Sequence, residues 1–173
     1  MLNRQNALIA VLILVAILTR LLPHPPNFAP VAAIALFGGA LFTNRSLAFL
    51  IPLIIMGISD FIIGFHSTIP VVYGLFMMTV FIGFYLKDRV RPVAILGASL
   101  SSSLLFFLGS NLAVWYGSTF YTQDLSGLIT CYTLALPFFH NTIMGDLFYS
   151  GVLFGTYSFV SAKYPHLLAP VRA

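Results

Sequence analysis

Charge is what this chain has least of. Of 173 residues, 8 are Lys or Arg and 4 are Asp or Glu, 7% in all. A soluble domain carries roughly 25% charged residues, so a water-exposed globular protein is not the expected state. Cysteine is nearly missing too. The single Cys131 excludes an internal disulfide and any multi-cysteine metal site. There is no Walker A sequence, no His-Glu-x-x-His zinc motif and no Gly-x-Ser-x-Gly elbow, which removes the usual routes to ATP, peptide and ester hydrolysis. No internal repeat, low-complexity stretch or linker interrupts the chain. It is also short for a transporter built from inverted repeats.

What is there is apolar: 60% of residues are hydrophobic and mean hydropathy is +1.00. The apolar runs are continuous rather than alternating over about ten residues, which favours helices over a membrane β-barrel. Runs over 7–22, 28–43, 46–65, 69–86 and 93–115 each approach the ~20 residues that cross a bilayer. From Leu125 to Ala162 the acidic or basic side chains are His140 and Asp146. That stretch is too long for one crossing, roughly 57 Å as helix against a ~30 Å core. Pro137 divides it, giving a sixth span over 137–162 and an interfacial or re-entrant segment over 121–135. The expectation is one all-α integral membrane domain, 1–173, a six-transmembrane-helix bundle in a bacterial inner (cytoplasmic) membrane.

The net charge of +4 does not point to nucleic acid, because the basic residues are scattered between apolar runs. They read as topology signals. With both termini cytoplasmic, that side holds Arg4, Arg45, Lys87, Arg89, Arg91, Lys163 and Arg172, and the other holds Arg20 alone. Such an asymmetry follows the positive-inside rule and requires an even number of spans. The first run is expected to be a retained span, since no small-x-small cleavage site follows it.

On this topology the unusual polar residues gather at the outer side. Arg20, His24 and Asn27 lie around the end of the first span, and Asp60 and His66 at the end of the third. Tyr73 is in the outer part of the fourth; Asn111 and Trp115 end the fifth; His140, Asn141 and Asp146 follow Pro137. An ionisable group inside the hydrocarbon costs several kcal/mol unless it is paired or faces a cavity. These residues are therefore the candidate binding set for an external small-molecule site. For Asp60 and Asp146 the plainer alternative is a buried pair with Arg20 that locks helices together, or a neutral, hydrogen-bonded carboxyl. His166 lies at the cytoplasmic end and carries no role. Trp115, Tyr116, Phe120 and Tyr121 suit an interfacial aromatic belt. Gly38, Gly39 and the Ser99–Ser103 group suit close helix approach.

Residues 20–40 (RLLPHPPNFAPVAAIALFGGA), Ser59-Asp60, Gly64-Phe65-His66, Phe106-Phe107 with Asn111 and Trp115, Gly127-Leu128, Cys131-Tyr132, Pro137-Phe138-Phe139 and Gly145-Asp146 together are similar to a known pattern. They resemble small bacterial transport proteins related to the substrate-binding S components of energy-coupling-factor (ECF) transporters. The resemblance is greatest to the solitary cobalamin transporters called BtuM. It implies a six-helix membrane protein with an external vitamin site, and would place His24, Asp60 and the His140 region near a corrinoid. In some members a cysteine binds cobalt; in the outer fourth span this chain has Tyr73 nearby and no cysteine. A histidine could take the axial position, since imidazole suits first-row metals. The first helix has Ala7, Ala10 and Ala16 but no Ala-x-x-x-Ala, the surface on which S components dock to an energising module. The run Ala32–Ala40 could serve instead.

The expected function is uptake of a vitamin-like small molecule, cobalamin or another corrinoid first, by a protein working alone and without an intrinsic cofactor. The alternatives are an S component for another vitamin with a separate ATP-driven module, an intramembrane enzyme using Asp60 and Asp146, and a purely structural membrane subunit.

Overall fold

The structure, a computed structural model, describes residues 4–163, with side chains described at position 11 and from 13 onward. The topology roles given to Arg4 and Arg172, and the readings of Ala7, Ala10 and His166, lie outside the described side chains and residues.

Six helices account for most of the described chain: α1 (Arg4–Leu21), α2 (Val31–Leu41), α3 (Arg45–Ile63), α4 (Ile69–Tyr85), α5 (Pro92–Gly117) and α6 (Leu125–Lys163). Their limits follow local chemistry. α1 stops short of Pro23, because the residue before a proline is driven out of helical geometry. Asn44 caps α3 by accepting a 2.9 Å hydrogen bond from the Ser46 amide. α3 ends at Gly64, whose φ of 118° favours a residue without Cβ. α4 and α5 start with proline in the first turn, where a missing amide hydrogen costs nothing.

α2 is the centre. It packs on α3, α4, α5 and α6, most extensively on α4. Nine of its 11 residues are buried. The α2–α4 crossing depends on two glycines. A Cβ on Gly39 would strike the Val80 carbonyl oxygen, and a Cβ on Gly83 would lie 3.0 Å from Gly39 Cα. The small-residue run Ala32–Ala40 is therefore the inside of the bundle. The expectation that it offers a docking surface for an energising module is corrected: neighbouring helices already cover it.

The other correction concerns Pro137. It does not divide the helix, and residues 125–135 are the first turns of α6 rather than a separate segment. α6 runs unbroken through Pro137 for 39 residues. Proline forfeits one backbone hydrogen bond, but packing along α5 on both sides of it holds the helix together. Tyr132 donates to the Leu108 carbonyl at 2.6 Å before the proline, and Ser103 donates to Asp146 at 2.6 Å after it.

On α5, burial runs opposite to that of a helix in a soluble bundle. On α5 the buried side chains include Ser99, Ser102 and Ser103, while Leu96, Leu100, Leu104, Leu108 and Leu112 form an exposed stripe at i, i+4 spacing. By length and composition, α3 and α5 are apolar enough to cross a membrane.

Candidate functional site: a cavity at one end of the bundle

The loop between α1 and α2 is built on a hydrogen-bonded turn. Phe28 donates to the Pro25 carbonyl at 3.0 Å, closing a turn with Pro26 and Asn27 at its centre. Asn27 has φ of 65°, the value a type II turn demands at its third position, and Asn tolerates it. Phe28 then packs on Phe148 and Tyr149 of α6. The approach is close because a Cβ on Gly145 would come within 3.1 Å of Phe28 Cα.

Beneath this loop lies a cavity of about 500 Å³, within the range typical of small-molecule sites. Its walls come from the end of α1, the start of α2, the ends of α3 and α5, the start of α4 and the middle of α6. All six helices thus meet at one end of the bundle. The walls are mostly apolar. Phe107 and Phe139 stack at 4.3 Å between centroids with 24° between planes, and Phe76 and Phe106 lie beside each other at 5.3 Å. The basic residues of the helix connections are at the opposite end. Arg45, at the start of α3, stands over the Phe84 ring near the end of α4, and Lys87, Arg89 and Arg91 occupy the following turn.

Polar groups enter the cavity at few points. Arg20 lines it, yet its guanidinium is held from behind: Nη2 donates to Asp60 Oδ1 at 2.7 Å and Nη1 touches the Met56 sulfur. The second Asp60 oxygen accepts from the Tyr73 hydroxyl at 3.0 Å. Both oxygens of this 1%-exposed aspartate are therefore occupied. Asp146, on the α6 wall, is in the opposite condition. It is 2% exposed, accepts from Ser103 through Oδ2, and has no cationic partner among the described residues. Asn111 and Ser110 bond back to carbonyls of their own helix. His24 donates from Nδ1 to the Leu22 carbonyl at 2.7 Å, because a carbonyl can only accept; in the neutral ring its Nε2 keeps a lone pair. No cluster of three or more His, Cys, Asp or Glu able to hold a metal ion occurs among the described residues.

A profile of one protein family matches residues 1–167, nearly the whole length. The chain belongs to DUF6580, a family of unknown function. No curated protein and no solved structure matches it.

In this DUF6580 chain six of the eleven residues singled out from sequence line the cavity: Arg20, His24, Asn27, His66, Asn111 and Asp146. Asp60 and Tyr73 stand behind Arg20 and orient it. Trp115 serves the α5–α6 loop, where its Nε1 donates to the Thr122 carbonyl at 2.9 Å and its own carbonyl accepts from Gln123 at 2.7 Å. His140 is exposed and Asn141 is half-buried, and neither lines the cavity. Helical phase explains this. Ala135, Phe139, Thr142 and Asp146 recur at i, i+3 and i+4 spacing on the cavity face, and position 140 falls about 200° from 142. Cys131 is buried, with its thiol 3.6 Å from the Asn111 carbonyl, and is not part of the wall.

The sequence reading gave Ser103 to helix packing alone, and did not assign Thr142 or the Phe107–Phe139 stack to the site. The i, i+4 pairing of Thr142 with Asp146 was the available signal for that face of α6.

Proposed function

We propose that this chain is a multi-pass inner-membrane protein that captures a vitamin-sized solute at an outward-facing cavity and passes it across the bilayer. The observation that carries this reading is the cavity itself: about 500 Å³, aromatic-walled, with an arginine and an unpaired aspartate admitted to it. Six crossings are supported by the exposed leucine stripe of α5 and by large apolar side chains facing outward on α1, α3, α4 and α6, a surface that lipid satisfies and water does not. α2, about 16 Å long, needs no full span of its own because protein surrounds it. Orientation follows from the basic turns at the end opposite the cavity, which belong inside.

Cobalamin and other corrinoids lead the list of solutes through the resemblance to BtuM. His24 supports an axial cobalt contact, since its Nδ1 is fixed by Leu22 and its Nε2 lies free at the cavity. A complete corrinoid would stand partly outside a cavity of this size, so smaller vitamins belong in the same assay. Solitary action is favoured over an S component with a docked module, given the burial of Ala32–Ala40. An acid–base pair of Asp60 and Asp146 is not favoured, because Asp60 is fully engaged away from the cavity.

The test is equilibrium binding of cobalamin, cobinamide and a panel of smaller vitamins to detergent-purified protein, with visible absorption for the corrinoids. A shifted cobalt spectrum that His24→Ala removes supports a corrinoid. Binding of a smaller vitamin that Phe139→Ala weakens supports uptake with another cargo. No binding across the panel overturns the reading.

A further inference from the structure

Once each charge at the cavity is matched with its neighbours, one remains. Arg20 is neutralised by Asp60, which reaches it at 2.7 Å from outside the cavity wall. His24 and His66 stand exposed at the mouth, each with Nδ1 already bonded, to Leu22 and to Thr68. Asp146 is 2% exposed and meets one hydroxyl, that of Ser103, through one of its two oxygens. A carboxylate this deeply buried without a cation is costly unless it holds a proton or meets a partner that arrives from outside the protein, and a cation displaces that proton. The Phe107–Phe139 pair belongs to the same wall, and ring faces attract cations as well.

We propose that Asp146 is the recognition site for a cationic group on the transported solute: a protonated amine or a quaternised heteroaromatic nitrogen on a small, flat, largely apolar body. The inference rests on the uptake reading above and narrows its cargo. Ser103 holds one oxygen of Asp146, leaving Oδ1 to the ligand's positive group, while the ring body lies against the phenylalanine wall. An anionic solute gains nothing from a site whose free charge is negative.

The experiment uses small probes that differ in charge and little in shape: benzylammonium, N-methylpyridinium, benzyl alcohol and benzoate. Binding to the full-length detergent-purified protein is read as a ligand-dependent shift in thermal unfolding and by titration calorimetry. The cationic probes should bind at least tenfold more tightly than benzyl alcohol, and benzoate should not bind. Asp146→Asn keeps the shape and a bond to Ser103, and should reduce cation affinity about ten- to hundredfold, the size of a lost charge-assisted hydrogen bond. Asp88→Asn, in the turn at the opposite end of the bundle, should leave it unchanged. Equal binding of benzyl alcohol and benzylammonium, or cation binding unaffected by Asp146→Asn, overturns the inference and leaves the uptake reading standing. Failure of all four probes overturns the inference as well; the uptake reading then falls only if the vitamin panel also fails. The charge comparison needs no variant, so a misfolded Asp146→Asn protein would not remove the test.

Discussion

Arg20 and Asp60, forty positions apart, meet at 2.7 Å and tie the end of α1 to the end of α3. Asp60 is held a second time by Tyr73 of α4, so three helices converge on one carboxylate at the back of the cavity. Removing one member of a buried pair leaves the other charged and unpaired, at a cost of about 3–5 kcal/mol. Asp60→Asn and Arg20→Met should each lower stability by an amount in that range. The double variant should lose distinctly less than the sum of the two. Tyr73→Phe should cost about 1.5–3 kcal/mol, one hydrogen bond to a charged group. Thermal unfolding in detergent, arranged as a double-mutant cycle, reads all four; additive losses would show that the pair does not act as a unit.

The α2–α4 crossing makes a second forecast. Gly39→Ala and Gly83→Ala each push a methyl into backbone of the facing helix, and overpacking of that kind costs about 1–3 kcal/mol. Gly97→Ala and Gly151→Ala add a Cβ to open space on α5 and α6. There the better helix propensity of alanine should leave stability unchanged or raise it by up to ~1 kcal/mol. If Gly39→Ala and Gly97→Ala shift the unfolding temperature alike, the close approach is not what the glycine is for.

Helices were legible from sequence where a proline or polar turn marks their ends. α3, α4 and α5 begin and end within a few residues of the apolar runs over 46–65, 69–86 and 93–115. α2 is shorter than its run, because the segment from Asn27 to Pro30 is spent on a turn that only the backbone angles disclose. α6 was misdivided because a proline weakens a helix locally, whereas packing on α5 stabilises it over several turns. That division also placed His140 and Asn141 near the start of a span, where any face could be a cavity face. In the continuous helix their phase is set by Thr142 and Asp146. The gathering of Arg20, His24, Asn27, His66, Asn111 and Asp146 at one end of the bundle was visible from sequence alone. The pairing of Arg20 with Asp60 rather than Asp146 was not, since both aspartates satisfied the same charge argument.

The start of α6 should respond to pH through Asp124. This exposed residue accepts from the Gly127 amide at 2.8 Å and from the Thr122 hydroxyl at 2.7 Å. Those bonds favour the ionised form and hold its carboxyl below the usual aspartate value, the Gly127 amide contributing most. A carboxyl depressed in the folded state contributes stability above its unfolded value and loses it as pH falls through the folded one. The unfolding temperature should therefore fall on acidification from about pH 4 downward. Asp124→Asn should flatten that fall, because asparagine caps a helix about as well and does not titrate. Asp124→Ala should lower stability at neutral pH. An unchanged acid limb in Asp124→Asn would place the acid sensitivity elsewhere.

Orientation in the membrane can be read with single cysteines in a Cys131→Ser background. Cys131 is buried and tied to α5 through the Asn111 carbonyl, so serine should be tolerated with a small loss of stability. Cysteines at Arg45 and Lys87 report the basic end of the bundle; those at His66 and Gln123 report the cavity end. A membrane-impermeant maleimide added to intact cells should label positions 66 and 123, and should reach 45 and 87 only after the membrane is opened. The physical reason is the positive-inside bias: Arg45, Lys87, Arg89 and Arg91 stand on one side of the bundle, and at the cavity end Arg20 is already neutralised by Asp60. The opposite labelling pattern would turn the cavity toward the cytoplasm and make release or efflux, rather than capture, its task. Labelling of all four positions from outside would remove the membrane bundle altogether.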